Sequence, residues 1–140
     1  MTRLLISLAT RGRPQQVVQT INQSVLHLTE EDTIIQVQVD DDDLRTAEAI
    51  KRDVPDSRVQ VNIAPREDTI AEKWNRALKT EADLYQVAAD DDPYITPGYD
   101  RLIIEAAKAF PDGMGFVYGN LANASFPCGA ATTRRMASKL

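Results

Sequence analysis

Apolar residues lie along this chain in short runs that alternate with helical stripes. Leu4-Leu5-Ile6-Ser7-Leu8 is a run of strand length, and Thr10-Arg11-Gly12-Arg13-Pro14 breaks it. The run predicts a buried strand. Pro14 suits the first position of a helix, and Val18, Ile21, Val25 and Leu28 recur at helical spacing, which predicts a helix over 14–28. Thr33–Val39 is rich in β-branched residues and predicts a second strand. Leu44, Ala47, Ile50 and Val54 share one face of a second helix that Pro55-Asp56 ends. Arg58–Ile63 alternates as a third strand. Thr69-x-x-Glu72 forms a capping-box pattern ahead of a helix whose apolar face would be Ile70, Trp74, Ala77 and Leu78. Leu84–Ala88 is a fourth strand. Thr96-Pro97 reads as the N-cap and first residue of a helix with Leu102, Ile103, Ala106, Ala107 and Phe110 on its apolar face. Gly115–Tyr118 predicts a fifth strand, followed by an irregular stretch and a weakly helical tail from Thr132. Such alternation implies an α/β fold, a mainly parallel sheet with helices on both faces.

At 140 residues the chain reads as a single domain over 1–140, without internal repeat or linker. Its 43% apolar and 26% charged residues are ordinary for a globular protein. The net charge of −5 argues against nucleic acid and anionic membranes as partners. One cysteine, Cys128, allows no internal disulfide. The apolar runs are too short to span a bilayer, and the N-terminus lacks the pattern of a signal peptide, so a reducing, cytoplasmic setting is expected.

The acids are unevenly placed. Asp40–Asp43 and Asp90–Asp92 hold seven of the 21 carboxylates, and each cluster directly follows an apolar strand. Open α/β sheets bind ligands outside the carboxyl ends of their strands. Thr10, Arg11, Asp40, Asp41, Asp90, Asp91 and Asp92 would therefore share one rim. Carboxylates near hydroxyl and basic groups suit Mg²⁺ or Mn²⁺ shared with a phosphorylated ligand. Each feature also has a plain reading: an Asp-rich turn, a solvated arginine, a helix cap. Two clusters closing two strands favour a common site over two unrelated turns. His27 has no second histidine to share a metal with, and Cys128 has no histidine partner for catalysis. Trp74 reads as core, and Arg134-Arg135 as solvated charge. No glycine-rich phosphate loop, GxSxG elbow or Cys/His zinc pattern is present.

Taken in order, these segments resemble family 2 glycosyltransferases. Ser7-Leu8-Ala9-Thr10-Arg11-Gly12-Arg13-Pro14 is similar to that family's S-x-x-T-R-x-R-P strand end, and Val39-Asp40-Asp41 to its V-D-D element. Asn75-Arg76-Ala77-Leu78 resembles the asparagine-bearing helix, and Ala89-Asp90-Asp91-Asp92 the DxD signature, with Pro97-Gly98 following. The resemblance implies a GT-A fold (Rossmann-like) and an inverting transfer from a nucleotide-diphosphate sugar, commonly a UDP-sugar, to an acceptor, with Mn²⁺ or Mg²⁺. It places Thr10 and Arg11 in the nucleotide pocket and Asp41 or Asp40 on the base or ribose. Asp90 falls near the ribose or sugar, and Asp92 on the metal, with Asp90 as a second candidate ligand. Two positions depart from the pattern. Trp74 stands where the family has an arginine, and nothing after Arg134-Arg135 matches the glycine-rich turn and acidic catalytic base that the family places there. The expectation is thus a fold truncated at its C-terminal side, as a fragment or a short relative, with an apolar patch near 115–131 that promotes self-association.

A non-catalytic nucleotide-sugar-binding module is the alternative. A phosphoacceptor receiver would want an acidic pair after the first strand, where Thr10-Arg11 stands, and an aspartate after the third, where Ala64 stands. A nucleotidyltransferase of similar fold would want a glycine-rich first loop, where only Gly12 is found.

Overall fold

The computed structural model describes residues 2–120 and 127–137, with backbone alone at 116, 118–120 and 127–130. The strands are β1 (Leu4–Ala9), β2 (Ile34–Asp40), β3 (Val59–Ala64), β4 (Leu84–Ala89), β5 (Phe116–Asn120) and β6 (Pro127–Thr133). The helices are α1 (Pro14–Leu26), α2 (Leu44–Asp53), α3 (Ile70–Asn75), α4 (Tyr99–Ala107) and α5 (Arg134–Ala137), with a 3-10 turn over Arg76–Lys79 after α3. The sheet order is β3-β2-β1-β4-β6-β5. β1 pairs in parallel with β2 and β4, and β2 with β3. β6 runs against both of its neighbours, β4 and β5. The sheet is therefore mainly parallel, as the alternation of elements implies.

β6 is the departure from expectation: a strand fills what the sequence presents as irregular, and Thr132 and Thr133 end it. Its Pro-Cys-Gly-Ala-Ala segment has neither alternation nor β-branched residues, so no local signal marks it. Pairing with β4 and β5 supplies what propensity lacks. The remainder of the expected apolar patch, 121–126, lies outside the described residues, as does the side chain of Cys128. α4 also begins later than Thr96-Pro97 suggests. Its N-cap is Gly98 at φ +70, a left-handed conformation that costs glycine little, and the Gly98 amide donates to the His27 carbonyl at 2.8 Å.

The two faces of the sheet differ in chemistry. Leu4, Ile6, Leu8, Ile35, Val37, Val39 and Leu84 face one way, under Val17 and Ile21 of α1, Ala47 and Ile50 of α2, and Tyr99 and Ile104 of α4. Leu44 of α2 and Leu102 of α4, expected on apolar faces, are 53% and 59% exposed instead. The opposite face has a small apolar cluster of Leu5, Ala77, Ala82, Tyr85 and Ala137. Beside that cluster runs a ladder of amides and hydroxyls. Asn62 donates to Gln38, and Gln38 donates to Gln36 and Ser7. Gln36 donates to Thr80, and Ser7 to the Trp74 carbonyl. Buried polar groups are tolerable when paired in this way. Among the described residues no helix is long and apolar enough to cross a membrane.

Candidate functional site

Strand register builds the site. Ala9 of β1 stands opposite Gln38 of β2 and Ala89 of β4. The Thr10 amide donates to the Gln38 carbonyl at 3.3 Å and extends the ladder by one residue. Thr10 is thereby set between Asp40, which ends β2, and Asp90, which follows β4. The strand order also reverses between β1 and β4, where open α/β sheets form their binding crevice. Six of the expected residues gather there by contact or sequence adjacency, and a seventh, Asp41, stands at the outer lip.

The two arginines of the β1–α1 loop turn to opposite sides of it. Arg11 turns to the β2 side. Its Nη1 donates to Asp40 Oδ2 at 2.8 Å, and its two terminal nitrogens grip Asp42 at 2.6 and 3.0 Å. The Gly12 amide donates to Asp43 Oδ2 at 2.7 Å. Asp43 thus spends its carboxylate on the β1–α1 loop rather than on capping α2. Arg13 turns to the β4 side and lies 3.2 Å from Asp90 Oδ1 and 4.0 Å from Asp91.

Asp40 is 1% exposed and has three cationic partners. Arg11 and Lys73 approach Oδ2 at 2.8 and 3.0 Å, and Arg76 donates to Oδ1 at 3.0 Å. Burial pushes its pKa up. Hydrogen bonds from Arg11, Lys73 and Arg76 outweigh that and hold the carboxyl below its ordinary range. Arg76 also pairs with Glu67 at 2.6 Å and donates to the carbonyls of Val39 and Pro65. Its guanidinium likewise keeps Glu67 below the usual carboxylate range. These contacts commit Asp40 to the interior. Asp41, exposed and without side-chain partners among the described residues, is the acid on that lip free to meet a ligand.

Asp90 is 3% exposed and fixed at three points. Thr10 Oγ1 donates to Oδ2 at 3.0 Å, Arg13 faces Oδ1, and Thr20 Oγ1 donates to the Asp90 carbonyl at 2.7 Å. Helix α1 goes on guiding this segment: Ser24 Oγ accepts from the Tyr94 amide at 3.1 Å. Thr20→Val keeps the branched shape and removes the donor, leaving a buried carbonyl unpaired. The urea midpoint should fall by the equivalent of about 1–3 kcal/mol. Asp91 and Asp92 project outward, and Asp92 has no side-chain partner among the described residues.

The sequence reading missed Lys73, Arg76 and Thr20. It placed the buried face of α3 on Ile70, Trp74, Ala77 and Leu78. Ile70 and Leu78 are 57% and 44% exposed, whereas Lys73, Arg76 and Ala77 are buried. Trp74 is half-buried and donates its indole N–H to the Ala88 carbonyl. The charge of Asp40 turns the helix, because a buried carboxylate needs cations more than the core needs two leucine-sized groups. A Lys-x-x-Arg pair beside an acidic strand end is the signal that could have shown it. The capping box is formed as expected, with Thr69 and Glu72 each accepting from the other's amide. His27 Nδ1 donates locally, to the Gln23 carbonyl, and Arg134 pairs with exposed Glu81.

Among the described residues, no three His, Cys, Asp or Glu side chains are arranged to hold a metal by themselves. Exposed Asp91 and Asp92 nevertheless offer hard oxygen donors on the side of the rim that Arg13 faces. That donor set fits a divalent cation whose coordination a phosphate ligand completes.

No family model matches the chain, and no curated protein matches it in sequence. Solved structures do match in fold. A mannosyltransferase from Pyrobaculum calidifontis, in complex with GDP-Man and Mn²⁺, superposes with a TM-score of 0.82 at 12% identity. The match covers 98% of this chain and 46% of that one. A CMP:2-keto-3-deoxy-manno-octonic acid synthetase complexed with CTP has a TM-score of 0.68 at 13% identity, over 99% of this chain and 77% of its own. A cytidylyltransferase from Leptospira borgpetersenii has a TM-score of 0.66 at 15% identity, over 99% and 63%. The chain therefore has the GT-A-type, Rossmann-like fold that sugar transferases and nucleotidyltransferases share.

Proposed function

We propose that this chain is a metal-dependent glycosyltransferase, or the donor-binding portion of one, that takes a nucleotide-diphosphate sugar, with UDP the leading nucleotide. One observation carries the reading. Three adjacent strand ends bring Thr10, Arg11, Arg13 and the Asp90–Asp92 turn to one rim, and leave Asp41 and Asp92 exposed without side-chain partners among the described residues. The likeness to a mannosyltransferase that binds GDP-Man and Mn²⁺ supports it.

In this reading Asp41 meets the base or ribose, which present hydroxyl and N–H donors to a carboxylate. Thr10 and Arg11 line the nucleotide pocket, and Arg13 offers a second guanidinium to the diphosphate. Asp92 would hold Mn²⁺ or Mg²⁺; Asp90, the other expected ligand, is buried with both carboxylate oxygens engaged, so Asp91 is the exposed carboxylate beside it. Bound there, the metal supplies neutralising charge for a diphosphate leaving group. Buried Asp90, fixed by Thr10 and Thr20, sets where the turn stands. Inversion at the anomeric carbon belongs to this reading and needs a base for the acceptor hydroxyl. The non-catalytic nucleotide-sugar-binding module is the alternative to this reading.

Calorimetric titration of UDP with Mn²⁺ and with EDTA, on the wild type and Asp92→Ala, tests the proposal. The expected result is metal-dependent binding that weakens by about tenfold or more in Asp92→Ala, at least ~1.4 kcal/mol. Binding indifferent to metal removes the role of Asp92. Binding of CTP in preference to UDP and GDP favours nucleotidyl transfer over glycosyl transfer. Binding of an intact UDP-sugar without release of UDP favours the binding module.

A further inference from the structure

Lys73 lies on a six-residue helix, and it is 9% exposed. Lysines are seldom so buried unless paired. Its ammonium makes two contacts. Nζ donates to the Thr10 carbonyl at 2.6 Å and faces Asp40 Oδ2 at 3.0 Å. The second contact is not what keeps Asp40 satisfied, because Arg11 and Arg76 already hold that carboxylate. Among the described residues the first contact belongs to Lys73 alone.

Thr10 is thus fixed through its backbone from two sides. Its amide donates to the Gln38 carbonyl at 3.3 Å, and its carbonyl receives Lys73. Threonine is stiff about χ1, so holding the backbone restricts where the hydroxyl points. Here it points at Asp90 Oδ2, 3.0 Å away. A continuous polar chain results: Asp40, Lys73, Thr10, Asp90, Thr20. It links the end of β2 to the turn after β4 through the end of β1.

Building on the donor-site reading above, we infer that Lys73 is the positioning residue of this site: by holding the end of β1 it presents the Thr10 hydroxyl to Asp90 and so places the Asp90–Asp92 turn. Lys73 itself contacts no donor. Its action passes through Thr10. Two consequences separate this role from ordinary support. Removing Lys73 and removing the Thr10 hydroxyl have the same effect on ligand binding, and the two losses do not add, because both break one chain. Arginine in place of lysine keeps a cationic donor and largely restores binding.

The test uses Lys73→Met, Lys73→Arg, Thr10→Val and the Lys73→Met/Thr10→Val double variant. Methionine keeps the length and apolar character of the stem, and Asp40 retains two cations, so Lys73→Met should fold. Lys73→Arg and Thr10→Val carry the test if it does not. Titration of UDP in the presence of Mn²⁺ should weaken by about tenfold in Lys73→Met and in Thr10→Val, with the double variant no weaker than about threefold below the single ones. Lys73→Arg should bind within about threefold of the wild type. Unchanged affinity in Lys73→Met, or multiplied losses in the double variant, overturns the inference. A crystal structure of Lys73→Met, or of Lys73→Arg beside the wild type, decides the geometry whatever the nucleotide result. Loss of the Thr10–Asp90 hydrogen bond without Lys73, or its retention with arginine there, supports the role; an unmoved Thr10 hydroxyl in Lys73→Met overturns it. Wild-type protein that binds none of UDP, GDP or CTP sinks the donor-site reading, and the crystallographic comparison still judges Lys73.

Discussion

Asp40→Ala will be the most damaging single substitution at the rim, lowering the unfolding free energy by about 3–5 kcal/mol. The carboxylate is 1% exposed, and its removal strips Arg11, Lys73 and Arg76 of a shared partner. Arg11 can swing into water or keep Asp42, and Arg76 keeps Glu67. Lys73, also buried, is left with the Thr10 carbonyl alone. Asp40→Asn preserves the shape and halves the loss of acceptors, so it should cost less than the alanine variant. The pH dependence has a definite sign. The folded-state pKa of Asp40 is lowered from its ordinary value of 3.8. The contribution is therefore fully present above about pH 4 and drains away as pH falls through the lower folded value. Urea denaturation between pH 7 and pH 3 should show a steep acid limb in the wild type that is shallower in Asp40→Asn. An Asp40→Ala variant as stable as the wild type would mean that the three cations are satisfied without it.

Asp100→Ala should come second, at about 3 kcal/mol, or a fall of roughly 10 °C in Tm. Asp100 is 0% exposed at the first turn of α4. Its carboxylate accepts from the Glu30 amide and the Thr33 hydroxyl at 2.9 Å, and from the Thr29 amide and hydroxyl at 3.1 Å. These donors belong to the α1–β2 connection, so a single side chain locks that loop to α4. Alanine leaves several donors unpaired, some of them under the surface. Calorimetric melting of the variant reads the loss, and a shift under about 2 °C would mean that water replaces the carboxylate.

How far the sequence foretells the molecule depends on which force shapes each part. The parallel strands were legible because burial on both faces writes itself as continuous apolar runs, as in Leu4–Leu8 and Thr33–Val39. The capping box at Thr69 and Glu72 was legible because its chemistry is local. β6 was not, since its residues become a strand only when β4 and β5 flank them. The rim was legible as a place, because acids that follow strands must gather where strands end. Its internal assignments were not. Nothing local distinguishes Asp40, which turns inward to three cations, from Asp41, which stays in water. Likewise α3 and the 3-10 turn after it show an apolar stripe at helical spacing, yet they bury Lys73 and Arg76 with Ala77 and leave Ile70 and Leu78 exposed. Long-range charge pairing overrode periodicity there. The Thr10–Asp90 bond spans 80 positions, and only the register of β1 on β4 makes it visible.

The unlike faces of the sheet make the protein tolerant of change on one side and exacting on the other. Leu4, Ile6, Val37 and Leu84 interact through shape and volume, and aliphatic replacements of similar size can repack around one another. Gln36, Gln38, Asn62 and Ser7 interact through direction. Each amide must point its oxygen one way and its nitrogen the other for its neighbour to be served. A library that randomises both faces should therefore return varied survivors beneath α1, α2 and α4. Beneath α3 it should return few, and those with the amides kept or the whole ladder replaced at once. Redesign of the sheet has its room on the aliphatic side.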